Sequence, residues 1–187
     1  MKKKRCTWVG NDEIYIHYHD KEWGVPVKDD QKLFEFLILE GFQAGLSWII
    51  ILKKRENFRK AFSDFDYKKI ALYNEVKIQS LLKDEGIIRN QLKIKASISN
   101  SIAFMKIQDE FGSFANYIWG FTEGKSIIGN WENTKEIPAT SDLSDKISKD
   151  LKKRGFKFVG STIIYSFLQA VGILNDHTKE CFLHQKT

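Results

Sequence analysis

The chain has 187 residues, 42% hydrophobic and 13% aromatic, enough to bury a full core and too many for a disordered segment. Lys and Arg outnumber Asp and Glu by 30 to 24, a net charge of +6 that favours a polyanionic partner without proving one. No stretch approaches the roughly 20 apolar residues that span a bilayer, and none follows the basic start MKKKR as in a signal peptide, so a cytoplasmic protein with reduced cysteines is expected.

Only Pro26 and Pro138 interrupt the chain, and no convincing period-2 alternation appears, so the long segments read as helices. The first distinctive stretch is YIHYHDKEWG, residues 15–24, dense in rings and carboxylates. Asp29 or Asp30 can cap a helix that begins at Gln31 and continues through KLFEFLILEG. Gly41 and Gly45 then loosen or break it before LSWIIILKKREN. Further helices are expected near 68–72, 75–84, 90–108, 111–121, 142–153 and 162–171. Residues 122–140, with Gly124, Gly129, Asn130, Asn133 and Pro138, read as a loop. The expected fold class is all-α, with no repeat and no interdomain linker.

Soft metal ligands are few: Cys6, Cys181 and the four histidines His17, His19, His177 and His184. His177 and Cys181 stand four apart, on one face if that segment is helical, while Cys6 and His19 lie at the other end of the chain. One reading is a Cys2His2 site that ties the termini together. The other is two buried free cysteines among ordinary histidines, and without a CxxC the spacing does not choose between them.

Glu40 lies on a helix that is apolar nearly all round, sharing a face with Leu33, Phe36, Leu37, Ala44 and Ser47. A buried carboxylate must be neutralised, paired or hydrogen-bonded, so Glu40 is either a functional group or half of a structural ion pair. Trp8, Tyr15, Tyr18, Trp23 and Trp48 cluster near it in sequence. Flat rings beside a carboxylate acceptor suit a stacked purine, and a tryptophan-rich core is the alternative. In LLKDEGIIRNQLKIKA, residues 81–96, two helical patterns flank a turn at Gly86, followed by Arg89, Lys93 and Lys95. Such a hairpin either offers amides and cations to a phosphate or is simply two packed helices. LKKRGFKFVGST, residues 151–162, adds a second basic turn.

Taken together, CTWVGND, YHDKEWGVP, LEGFQAGLSWIIILKKRENFR, GIIRNQLKI and LKKRGFKFVGSTIIYSFLQAVGILNDH resemble the bacterial 3-methyladenine DNA glycosylase I family. The match runs in order from Cys6 to Cys181, almost the whole chain. It implies a helix-hairpin-helix glycosylase fold: one domain over residues 1–187, with two helical lobes and the hairpin at about 81–95. It also implies a monofunctional base-excision repair enzyme acting on double-stranded DNA that contains alkylated bases, and a monomer is expected of a repair enzyme that must track along DNA. Such an enzyme hydrolyses the N-glycosidic bond of flipped 3-methyladenine and releases the free base.

By position, the resemblance puts one structural Zn2+ on Cys6, His19, His177 and Cys181, joining the two ends of the chain. It puts the base pocket on Glu40, Tyr18 and Trp48, with Trp8 as a further stacking wall and Trp23 in support. Glu40 is its candidate catalytic group, although the family lacks the aspartate that many superfamily relatives carry after the hairpin, which favours recognition. Gly86, Arg89 and Lys93 fall on the DNA-backbone hairpin. His17 and His184 receive no role.

Overall fold

Asp12 opens the first helix by accepting from Ile14 N, and a computed structural model describes residues 3–184 from there outwards. The domain expected over 1–187 therefore reaches beyond the described residues at both ends. Helix α1 (Glu13–Lys21) carries much of YIHYHDKEWG and was not foreseen. Its buried face consists of Tyr18 and His19, so the aliphatic periodicity that marks a helix is missing from it.

Asp29 caps α2 (Asp30–Gln43) by accepting from Lys32 N. Asp30 is spent elsewhere: its carboxylate accepts from Phe114 N, Ala115 N and Gln108 Nε2, which fastens the start of α7 to α2. Every residue from Leu33 to Phe42 is buried, as an all-round apolar helix requires. Gly41 stays helical, and the break comes at Gly45, whose φ of +83° is a left-handed conformation. Helix α3 (Trp48–Ala61) follows, and its amide at Ile49 donates to Tyr15 Oη at 3.0 Å. Buried Arg55 ties these helices together, with Nε on Glu35 and Nη1 on Glu22, both at 2.6 Å.

The remaining helices lie close to their expected places: α4 (Tyr67–Ile70), α5 (Glu75–Lys83), α6 (Gln91–Phe111), α7 (Phe114–Gly120), α8 (Asp142–Lys153) and α9 (Ser161–Ala170). Helix α6 outruns its expected end, stopping where Gly112 turns left-handed at φ +82°. Ser113 then caps α7. Residues 122–140 are not all loop, which corrects the all-α expectation in one detail. Strand β1 (Ile127–Ile128) pairs in parallel with β2 (Leu174–Asn175), and a 3-10 turn covers Thr134–Glu136. Two-residue strands carry no readable alternation.

Helix α2 is the axis of the molecule and packs against α3, α6, α7 and α9. The segment after α1 is strapped to the far end of α9: Gly24 N donates to Gln169 O at 2.9 Å, and Val27 N to Val171 O at 3.0 Å. Gly172 permits this, since a Cβ there would lie 2.4 Å from the Val25 carbonyl carbon. Gly24 has φ +77°, and a Cβ on it would meet His177 Nε2 at 3.1 Å. Gly24→Ala should therefore lower stability by about 1–3 kcal/mol through backbone strain and displacement of His177. Thermal unfolding checks this, and an unchanged melting temperature would contradict it.

Candidate active site and metal centre

Cys6 precedes a 3-10 turn (Thr7–Val9), His19 sits on α1, and His177 and Cys181 follow β2. All four are buried, and their donor atoms lie within 4.8 Å of one another. Cys181 Sγ is 3.4 Å from His177 Nδ1 and 3.5 Å from His19 Nε2, and Cys6 Sγ is 3.7 Å from His177 Nδ1. A tetrahedron with metal–sulfur bonds near 2.3 Å and metal–nitrogen bonds near 2.0–2.1 Å has S···N edges of about 3.6 Å. The four donors thus already stand at the spacing of one tetrahedral ion. Residues 177–181 are not helical, only 179–180 being a turn, and Cys181 N donates to Thr178 O at 2.8 Å, so a helical face is not what joins His177 to Cys181.

The outward ring nitrogens are engaged, which fixes the pair that faces the cluster. His19 Nδ1 is 2.9 Å from Asp20 Oδ1, and Arg5 holds both oxygens of Asp20 at 2.8 and 2.7 Å. The Arg5 hydrogen bond, with help from His19, brings the Asp20 carboxyl down to about 2. His177 Nε2 donates to Trp23 O at 3.1 Å. His184, given no role from sequence, donates through Nδ1 to His177 O at 2.9 Å. His17 lies away from the cluster and lines a groove with Arg55 and Arg59.

Beside the cluster opens a cleft of about 280 Å³. That is just below the roughly 300–1,000 Å³ of typical small-molecule pockets, room for one ring system rather than a large ligand. Trp8, Tyr15, Tyr18, Trp23 and Trp48 supply its rings. Trp8 stands edge-on to Trp23 at 5.1 Å and to Tyr15 at 5.4 Å, and Tyr18 lies 5.6 Å from Trp48. The rings continue into the metal cluster: Trp23 meets His177 at 4.6 Å and Trp8 meets His19 at 5.5 Å. Glu40 and Gln43 enter from α2, Ser166 and Gln169 from α9, and Thr134 and Ile137 from the 122–140 segment.

Two polar atoms in this wall are unspent. Among the described residues, Glu40 Oε2 and Trp48 Nε1 are buried with no hydrogen-bond partner. Glu40 is 3% exposed, and desolvation pushes its carboxyl up to about 8. The structural ion pair that was the alternative for Glu40 is absent among the described residues. Buried unsatisfied groups are rare and costly, and an acceptor with a donor in one cleft matches the edge of a heterocyclic base.

The family model described as methyladenine glycosylase matches residues 8–184. This chain belongs to the methyladenine glycosylase family. DNA-3-methyladenine glycosylase 1 of Escherichia coli is 49% identical over 178 residues, covering 95% of each chain. A crystal structure of 3-methyladenine DNA glycosylase I superposes with a TM-score of 0.94 at 51% identity, covering 97% of this chain and 100% of the other. A structure that gives the basis of 3-methyladenine recognition by the Staphylococcus aureus glycosylase I has a TM-score of 0.94 at 36% identity, covering 98% and 97%.

In this member of the methyladenine glycosylase family, the structure gathers Trp8, Tyr18, Trp23, Glu40 and Trp48 in the cleft and the four Cys and His donors behind it. The hairpin is α5, a turn at 84–90, and α6. Gly86 N is bonded within that turn to Asp84 Oδ1 at 2.8 Å, and a Cβ on Gly86 would meet the same oxygen at 2.9 Å. Arg89 is half exposed, with a loose ion pair to Glu85 at 3.5 Å. Lys93 departs from expectation and is not a surface cation. Its Nζ is turned inward and donates to Phe42 O at 2.8 Å and Ala44 O at 2.6 Å, closing the C-terminus of α2. Burial lowers its pKa accordingly.

Sequence reasoning missed Gln43, Ser166 and Gln169. Gln43 was within reach, three residues after Glu40 on the same helix, whereas nothing in SFLQ links α9 to a cleft formed by the other end of the chain.

Glu40 also makes stability depend on pH. It is protonated in the folded state up to about 8 but ionises near its ordinary 4.5 when unfolded. Its contribution is complete below about 4.5 and is lost as pH rises through 8. Glu40→Gln removes this dependence and should become more stable than the parent by on the order of 4 kcal/mol at alkaline pH. Melting curves between about pH 5 and pH 9 test this, and a parent–variant gap that stays constant with pH would contradict it.

Proposed function

We propose that the protein is a monofunctional DNA-3-methyladenine glycosylase, which excises the flipped base from alkylated double-stranded DNA by hydrolysis. The observation that carries the reading is the unpartnered Glu40 carboxyl inside a base-sized aromatic cleft. Extruding a base costs a few kcal/mol, less for a weakened pair. Stacking on the rings of Trp8, Tyr18 and Trp48 offsets this by roughly 1–3 kcal/mol per base.

The lesion brings its own activation. Adenine methylated at N3 is cationic while joined to the sugar, so it is already a good leaving group. Near pH 7 the Glu40 carboxyl of an empty cleft is mostly protonated, given its value of about 8. A cationic base stabilises the carboxylate, and the carboxylate in turn accepts from the exocyclic amine. Neutral adenine gives no such gain, so it binds without the charge pairing. The C1′–N9 bond breaks with its electron pair going to the base, which leaves neutral. Water adds at C1′ and gives up its proton, completing an abasic site. Glu40 is the candidate catalytic residue through recognition and through stabilising positive charge on the sugar. Among the described residues no lysine lines the cleft, in keeping with hydrolysis rather than Schiff-base chemistry.

We assign one structural zinc to Cys6, His19, His177 and Cys181, because two thiolates and two imidazoles at tetrahedral spacing suit it. Four protein ligands close such a site, and its chemistry is to hold the two chain ends behind Trp8 and Trp23. The chain then acts as one monomeric domain of two helical lobes, with Arg89 and the Gly86 turn toward the DNA backbone. No helix among the described residues is long and apolar enough to cross a membrane.

Released bases from methylated DNA give the test. The parent protein should liberate 3-methyladenine, and Glu40→Gln should slow this by about 100-fold or more while remaining folded. Absence of release by folded, zinc-loaded parent would refute the assignment. Cys181→Ala should lose bound zinc and several kcal/mol of stability, read by metal analysis and unfolding. Unchanged zinc stoichiometry in that variant would show the ligand set to be wrong.

A further inference from the structure

Gln169 lies on the last turn of α9 and lines the cleft, with its side-chain Nε2 donating to Asp176 Oδ2 at 2.8 Å. Asp176 is buried and also accepts from Tyr165 Oη and from Trp131 Nε1, each at 2.7 Å. In all three contacts the Asp176 oxygens are the acceptors. The Gln169 amide is therefore held with its N–H edge on Asp176 and its carbonyl Oε1 on the opposite edge. Among the described residues Oε1 has no hydrogen-bond partner. The backbone is fixed as well, since Gln169 O accepts from Gly24 N at 2.9 Å and from Gly172 N at 3.3 Å.

We infer that Gln169 Oε1 is a second acceptor for the exocyclic amine of the flipped base, and that it makes the enzyme prefer adenine over guanine lesions. This inference rests on the glycosylase reading above. The exocyclic nitrogen of adenine carries two hydrogens, and the cleft then holds two acceptors for them, Glu40 and Gln169. A guanine lesion places the lone pairs of O6 where those hydrogens would be. The Gln169 carbonyl, which has no hydrogen to give, is then left unpaired against O6, and an unpaired acceptor in a desolvated site is strongly rejected. Asp176 acts through Gln169 and is a positioning residue. It immediately precedes His177, so one short segment sets both a metal donor and the base-reading edge.

The test compares release of 3-methyladenine and 3-methylguanine from methylated DNA by the parent, Gln169→Met and Asp176→Asn. Methionine keeps the length of the side chain and removes the acceptor. Asparagine puts an N–H donor where Oδ2 stood, which bonds Gln169 Oε1 and turns the amide so that its NH2 faces the cleft. Both variants should lower kcat/KM for 3-methyladenine by about ten-fold. Release of 3-methylguanine should hold or rise, so the adenine-over-guanine ratio falls at least ten-fold. Equal losses for both bases, or unchanged 3-methyladenine release by folded Gln169→Met, would overturn the inference. If Asp176→Asn does not fold, Gln169→Met alone decides. Failure of the parent to release either base would instead remove the glycosylase reading itself.

Discussion

The structure depends on keeping one carboxyl, Glu40, buried without a partner. Its helix is surrounded by α3, α6, α7 and α9, so no water reaches Glu40 from behind, and among the described residues no cation or amide neutralises it. Such a group is destabilising unless something arrives to use it. The rest of the site follows from that cost. Rings line the cleft because they hold a flat ligand against the acceptor while adding few polar groups, one of which, Tyr15 Oη, is taken up by Ile49 N. The indole N–H of Trp48, without a hydrogen-bond partner among the described residues, adds a donor that a base edge can meet.

The cleft is held open from behind by the Cys and His cluster. Tyr18 and His19 are adjacent on α1, so one side chain faces the base site while the next faces the metal donors. Trp23 touches both, through its ring in the cleft and its carbonyl on His177 Nε2. Gly24 completes the arrangement because only a residue without Cβ lets the chain turn left-handed against the His177 ring. Residues from the two ends of the chain thus form a single wall, and its rigidity comes from hydrogen bonds that fix each imidazole.

Much of this was legible in the sequence, though not all for the same reason. Helix α2 declared itself through an apolar run with an Asp cap, and Glu40 stood out within it as a charge without solvent. The cysteines and histidines were visible as residue types, but their spacing alone left the metal site undecided, and the family resemblance selected the four. Helix α1 was hidden because its inner face is tyrosine and histidine rather than leucine. Lys93 was misplaced because sequence cannot tell a lysine that faces phosphate from one that caps two carbonyls on a neighbouring helix. Gln169 was invisible because its meaning depends on Asp176 and on a cleft assembled from distant segments.

The central claim is that Glu40 is an uncompensated acid kept for a cationic base. The most direct measurement is an NMR titration of the Glu40 side-chain carboxyl in the free protein and with a bound DNA duplex that carries a non-cleavable, cationic N3-methylated adenine nucleoside. A midpoint near 8 in the free protein that moves downward on binding is the predicted result. A midpoint near the ordinary 4.5, unmoved by the base, would contradict the account.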